Sequence, residues 1–227
     1  MKTETKASVA DTVKSRKQSP TGAATKTKLL DAAERLFAEH GYDGTSLRDI
    51  AVEADLHIAL CTYHFGKKEL LFEEVIHRRA VILGQERLAN LAAIDVAQLA
   101  PSEAMKRIVE AYSIPIFEYR FGRSRQKKAY IKLLSQLINM NKWGHLIEKD
   151  FNYVTDAFLD RAMAALPHAN RETLVNAYSY LVASMLFICA HPDRFDAFRR
   201  KPKAKNENIE SAKSDLMRLS HLMFMAC

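Results

Sequence analysis

Residues 54–75 read ADLHIALCTYHFGKKELLFEEV, and the class of fold turns on what this segment is. It opens near Asp55, a residue type that tolerates turn backbone. An apolar run then carries Cys61, Thr62, Tyr63 and His64 and stops at Gly66. Behind Lys67-Lys68, Leu70, Leu71 and Val75 return at helical spacing. Period-two alternation is absent. The segment therefore predicts a two-turn helix over 58–65 and a long helix starting near Lys68. Two turns are not stable alone, so the short helix must pack on its neighbours.

Upstream, Leu29, Leu30, Ala33, Leu36 and Phe37 recur at helical spacing from Thr25, and His40-Gly41 marks the stop. Ser46 is followed by Asp49 at capping-box spacing, which predicts a helix over 47–54. Three helices fall within about 42 residues, the last two joined by a turn of three or four residues, the outline of a helix-turn-helix unit. The outward side of its third helix is free to enter a DNA major groove.

The rest of the chain reads as helix throughout. Further helices are expected near 103–118, 129–141, 145–166, 171–190 and 209–225, with basic connectors at 119–128 and 199–208. The expected fold class is all-α, with about nine helices. Of the 227 residues 48% are apolar, enough for a sizeable core, and the formal net charge is +7. That charge favours a polyanionic partner. No apolar leader and no run of 18 apolar residues is present, so no membrane partner is expected. Cys61, Cys189 and Cys227 are far apart, which fits free thiols in a reducing, cytoplasmic setting. The chain contains no G-x-S-x-G, P-loop or dinucleotide fingerprint and no His-x-x-x-His pair. Catalytic residues, metal ligands and cofactors are therefore not expected.

The stretch TKTKLLDAAERLFAEHGYDGTSLRDIAVEADLHIALCTYHFGKKELLF, residues 25–72, closely resembles the DNA-binding domain of TetR-family transcriptional regulators. LLDAAERLFAEHGYDGTSLRDIA and YHFGKKELL carry the resemblance. It implies a flexible basic arm over 1–23, a helix-turn-helix domain over 24–70 and a ligand-binding and dimerisation domain over 71–227. It also implies DNA contacts from Thr45 or Ser46, Arg48, His57, Ile58, Leu60, Thr62, Tyr63, His64 and Lys68. His57, Ile58 and Leu60 depart from the residues usual at their positions, so the base sequence read stays open.

The resemblance extends to function as an expectation. The chain should be a homodimer on a double-stranded, inverted-repeat operator, probing successive major grooves about 34 Å apart. Repression is expected by analogy, with release by a small hydrophobic effector of unidentified structure. Candidates for the effector's pocket are Met105, Tyr112, Leu134, Leu137, Ile138, Trp143, Phe151, Phe158 and Tyr180. The competing expectation is a DNA-binding regulator controlled by protein contacts or without any small-molecule ligand. Dimerisation is expected through the helices over 171–190 and 209–225, where Leu174, Leu181 and Met185 belong to an apolar surface too broad for one side of a helix.

Overall fold

The computed structural model describes residues 20–138, 140–194, 196–198 and 205–227, and among these the fold is all-α. Nine α-helices follow in order. The first four are α1 Pro20–His40, α2 Leu47–Glu53, α3 Ile58–Phe65 and α4 Lys68–Ala92. The remaining five are α5 Pro101–Phe121, α6 Arg125–Leu137, α7 Gly144–Ala165, α8 Arg171–Ala190 and α9 Lys205–Met225. Short 3-10 turns occupy Val96–Gln98, Asn141–Trp143 and Asp196–Phe198.

Helices α1 to α3 form a small head that packs on the start of α4. Phe37, Ile50, Cys61, Phe65, Leu71 and Phe72 close its core. The remainder is a bundle in which α4 packs on α7 and α5, α5 on α9 and α6, and α6 on α8. Met105, Ile108, Ile131, Phe158 and Leu181 are wholly buried within it. The head and bundle are joined by one uninterrupted helix, α4, whose buried residues run from Leu71 to Leu91.

The limits of α3 and α8 and the starts of α2 and α4 match their sequence expectation, and the other helices start earlier than expected. α1 begins at Pro20, inside the segment expected to be an unstructured arm; residues 1–19 lie outside the described residues. A proline in the first turn forfeits no helical hydrogen bond, and Ala23 and Ala24 favour the helix that follows. α6 begins at Arg125, because the Ser124 hydroxyl caps the amide of Lys127 at 3.3 Å. The basic connector at 119–128 therefore shrinks to Gly122–Ser124. α9 starts at Lys205 instead of 209, and residues 199–204 of that connector lie outside the described residues. Pro115 sits inside α5 and does not end it. Of the described helices only α8 is long and apolar enough to cross a membrane, yet Leu174, Leu181, Met185 and Cys189 along it are buried against the bundle.

Candidate functional site

The head is built from local rules. At the start of α2 the Ser46 hydroxyl accepts from the Asp49 amide at 3.1 Å, and Asp49 accepts from the Ser46 amide at 2.9 Å. This is the reciprocal capping box. The Ser46 hydroxyl is also the chief cause that holds the Asp49 carboxyl below the ordinary carboxylate range. Asp55 turns the chain with a φ of 52°, the left-handed region that Asp enters more readily than most residues. His57 then caps α3, its Nδ1 accepting from the Ala59 amide at 3.2 Å. Gly66, with a φ of 70°, stops α3 and lets α4 leave in a new direction.

Cys61 and Phe65 point inward from α3, and Cys61 donates weakly to the Leu47 carbonyl. The opposite side of α3 is open. Tyr63 is 69% exposed, and His57, Ile58 and Thr62 are exposed with it. Ser46 and Arg48 are exposed on α2. These six side chains share the outer surface of the helix-turn-helix. Leu60 is half-buried against the core, and His64 is half-buried edge-on to the Tyr63 ring.

Two residues expected to touch DNA have partners inside the head. Thr45 is buried, and its hydroxyl donates to the Gly41 carbonyl at 2.9 Å and lies 3.2 Å from that of Leu36. It ties α1 to α2 from inside the head. Lys68 also turns inward: its Nζ donates to the carbonyls of Tyr42 and Thr45, both at 3.0 Å, and lies 4.2 Å from the centre of the Tyr42 ring. The exposed lysine at the head of α4 is Lys67, the N-cap residue, whose side chain makes no capping bond. Sequence reading passed over it because nothing local distinguishes two adjacent lysines.

Polar and aromatic contacts fasten the head to α4. Buried Glu34 of α1 accepts from Arg79 Nε at 3.0 Å and also from Arg78, which reaches Asp31 at 2.8 Å. Trp143, expected in an effector pocket, instead packs 4.6 Å from Phe72 and 4.9 Å from Tyr42. It braces the 3-10 turn before α7 against the head.

Behind the head, a cavity of about 370 Å³ opens between α4, α5, α6, α7 and α8. Four expected pocket residues line it: Tyr112, Leu134, Ile138 and Phe151. The other five do not. Met105 and Phe158 are sealed in the core, and Trp143 is at the head. Leu137 faces a separate cleft against Tyr42 and Phe72. Tyr180 is 61% exposed on the outer side of α8, one position off the side that Ser179 and Val182 give to the cavity. An α8 that is apolar on most sides offers no period from which to choose the inner one.

The cavity also holds groups the sequence reading missed. Tyr178 Oη lies 2.6 Å from Tyr112 Oη and 2.8 Å from Thr155 Oγ1, a chain of three hydroxyls. Burial pushes the Tyr178 hydroxyl well above its ordinary pKa, so it stays a neutral donor. Arg87 of α4 is 3% exposed; its Nε donates to the Tyr112 carbonyl at 2.7 Å and its guanidinium lies 3.7 Å from the centre of that tyrosine's ring. The sequence does carry a signal for it. Arg87 stands four residues from both Leu83 and Leu91, a charge in the apolar stripe of α4. Among the described residues, no group of three or more His, Cys, Asp or Glu side chains is placed to hold a metal ion.

Two sequence profiles match the chain. One, described as bacterial regulatory proteins, tetR family, covers residues 29–75, and the other, a tetracyclin repressor-like C-terminal domain, covers residues 110–220. The negative transcriptional regulator IcaR of the biofilm operon icaADBC in Staphylococcus aureus is 43% identical over 51 residues, 22% of this chain and 27% of that protein. "Probable HTH-type transcriptional regulator YttP" of Bacillus subtilis is 31% identical over 85 residues, 37% of this chain and 40% of that protein. The match thus spans well under half the length of these relatives. Two solved structures share the fold over nearly their whole length. A TetR-like transcriptional regulator from Rhodococcus sp. RHA1 superposes with a TM-score of 0.60 at 16% identity, covering 87% of this chain and 94% of that one. HlyIIR, a hemolysin II transcriptional regulator, superposes with a TM-score of 0.54 at 17% identity, covering 84% and 97%. With its helix-turn-helix head and its helical bundle each matched, the chain belongs to the TetR family of bacterial regulatory proteins.

Proposed function

We propose that the protein is a homodimeric transcriptional repressor that binds an inverted-repeat operator and leaves it when a small hydrophobic effector fills the cavity. The observation that carries this reading is the continuity of α4. Its first turns hold Leu71 and Phe72 in the core of the head, and about four turns on Arg87 lines the cavity. A ligand that alters the seat of α4 thereby alters the placement of α3, and linkage requires that DNA in turn weaken the ligand.

On DNA, His57, Ile58, Thr62 and Tyr63 face the bases, while Ser46, Arg48 and Lys67 serve phosphates. Lys67 sits at a helix N-terminus, where backbone amides already favour an anion. Outward apolar side chains on the last two helices support a two-fold partner: Leu219 is 55% and Leu222 54% exposed on α9, and Tyr180 is exposed on α8. Paired across an axis, α8 and α9 would complete a four-helix bundle.

Selection from random duplexes with the purified protein tests the reading. It should recover an inverted repeat whose half-sites lie one helical turn, about 34 Å, or a multiple of it apart. Replacing Lys67 with Ala should weaken all duplexes alike and reduce the salt slope by about 1.8, one phosphate contact from each subunit of the dimer. Replacing Tyr63 or His57 should alter the order of preference among sites. Recovery of no repeat, or no change in DNA affinity with any cavity ligand, would favour a regulator governed by protein contacts.

A further inference from the structure

Arg87 is a permanently charged side chain taken almost entirely out of water without a carboxylate to answer it. Among the described residues none of its nitrogens forms an ion pair. Its partners are the Tyr112 carbonyl at Nε and, at 3.9 Å from Nη2, the sulfur of Met185, a weak acceptor. Asp150, the buried carboxylate on α7, lies 2.7 Å from His77 Nδ1 at one oxygen; its other oxygen is buried without a hydrogen-bond partner, and neither pairs with Arg87. A structural duty is visible for Nε, which steadies a carbonyl in the turn of α5 that Pro115 interrupts. That duty occupies one of five N–H donors. Arg87 lines a mostly apolar space together with Ile116, Leu134, Ile138 and Phe151, to which Asn152 and Ser179 add polar groups, and no acceptor stronger than the Met185 sulfur meets its Nη1 and Nη2. Buried charges are expensive unless paired, and a guanidinium edge matches the two oxygens of a carboxylate.

We infer that the cavity takes an apolar monocarboxylic acid, its carboxylate against the Nη1 and Nη2 edge of Arg87 and its hydrocarbon among the side chains of α6, α7 and α8. This rests on the reading of the cavity as the effector site and adds the chemistry of the head group. At about 370 Å³ the space lies at the small end of ligand pockets, commonly about 300–1,000 Å³, so it suits one short chain or a ring with a short chain. The three hydroxyls can serve the same end. When Thr155 donates to Tyr178 and Tyr178 to Tyr112, the Tyr112 proton is released to point at the carboxylate, and the reverse order satisfies the chain in the empty protein.

Matched pairs of probes decide the matter in the full-length protein, stripped of co-purified ligand on a hydrophobic resin. Octanoate, decanoate, dodecanoate and 4-butylbenzoate are titrated by calorimetry, each beside its alcohol: 1-octanol, 1-decanol, 1-dodecanol and 4-butylbenzyl alcohol. At least one acid should bind about ten-fold or more tightly than its alcohol, the preference one charge-assisted contact confers. That acid should also release operator DNA in a fluorescence anisotropy assay. Arg87→Met should erase the preference while keeping the alcohol's affinity, and Arg87→Lys should keep part of it. An alcohol that binds as tightly as its acid overturns the inference and leaves the cavity reading intact. Failure of all eight probes to bind overturns both. Because the wild-type comparison stands alone, an unstable Arg87→Met variant does not rescue the idea.

Discussion

Replacing Lys68 with methionine separates two jobs that a lysine at the head of α4 can do. The wild-type ammonium donates to the carbonyls of Tyr42 and Thr45 at 3.0 Å each, and it lies over the Tyr42 ring. Hydrogen bonds from a charged donor contribute about 1.5–3 kcal/mol each. The lysine is only half-buried, so the lower figure applies to both, and the ring adds about 0.5 kcal/mol. Releasing the pinned side chain returns about 1 kcal/mol of rotamer freedom. The net loss is then about 2–2.5 kcal/mol, since methionine keeps most of the packing but none of the donors. For a chain of this size that lowers Tm by about 4–10 °C at fixed protein concentration. Thermal melts and urea titrations measure the loss, and salt-dependent anisotropy on one operator duplex measures the DNA side. The slope of log affinity against log salt should be unchanged. An unaltered Tm with a slope smaller by about 1.8, one contact from each subunit of a dimer, would mean that Lys68 serves phosphate after all, and the inward assignment would be wrong. A fall in both would refute an exclusively internal role.

Three other perturbations bear on different parts of the molecule. An added Cβ at Gly84 on α4 would overlap the hydroxyl of Tyr153 on α7, so Gly84→Ala should destabilise by about 1–2 kcal/mol. Combining it with Tyr153→Ala should recover about 1 kcal/mol in a double-mutant cycle, and strict additivity would show that the two helices do not approach so closely. Leu219→Glu with Leu222→Glu should yield monomers at micromolar concentration by sedimentation velocity; a persisting dimer moves the interface elsewhere. Burial raises the Cys189 thiol from the ordinary 9 to about 12, so at pH 8 roughly one molecule in ten thousand carries the thiolate. Iodoacetamide should therefore label Cys227 in the native protein and reach Cys61 and Cys189 only on unfolding. The same shift has a signed effect on stability. The unfolded chain loses this proton first, so stability should fall as pH rises from about 9 to 12; the buried tyrosines, Tyr178 among them, act in the same direction, so a Cys189→Ala variant should show a shallower slope than wild type and not a flat one.

What could be read in the sequence is what neighbours along the chain decide. The Ser46–Asp49 box, the stop at Gly66 and the limits of α3 depend on residues within a turn of each other, and all were legible. Lys68 was not, because its partners are carbonyls from the link after α1, 23 and 26 positions earlier. Thr45 failed similarly: a hydroxyl at a helix start suits a phosphate, but the carbonyls of Leu36 and Gly41 claim this one first. In the bundle the limit is one of direction. Tyr112, Leu134, Ile138 and Phe151 lie on the inner sides of amphipathic helices, whereas α8 is apolar on too many sides to show where Tyr180 points.

The unbroken run of α4 fixes a mechanical scale for the molecule. From Lys68 to Arg87 is 19 residues, about 28 Å of helix at 1.5 Å per residue. A pivot of about 5° at the Arg87 end therefore sweeps the Lys68 end through roughly 2.5 Å, and two mirrored arms would change the gap between their tips by up to about twice that. Successive major grooves stand about 34 Å apart, so such a change is a large fraction of the width of a hydrogen-bonding layer yet small beside the groove itself. Under the proposed control of DNA binding from the cavity, geometry of this kind would let a small motion beside Arg87 become a larger one at the DNA-facing end. Stiffness in α4 would then set how much of that movement reaches the far end.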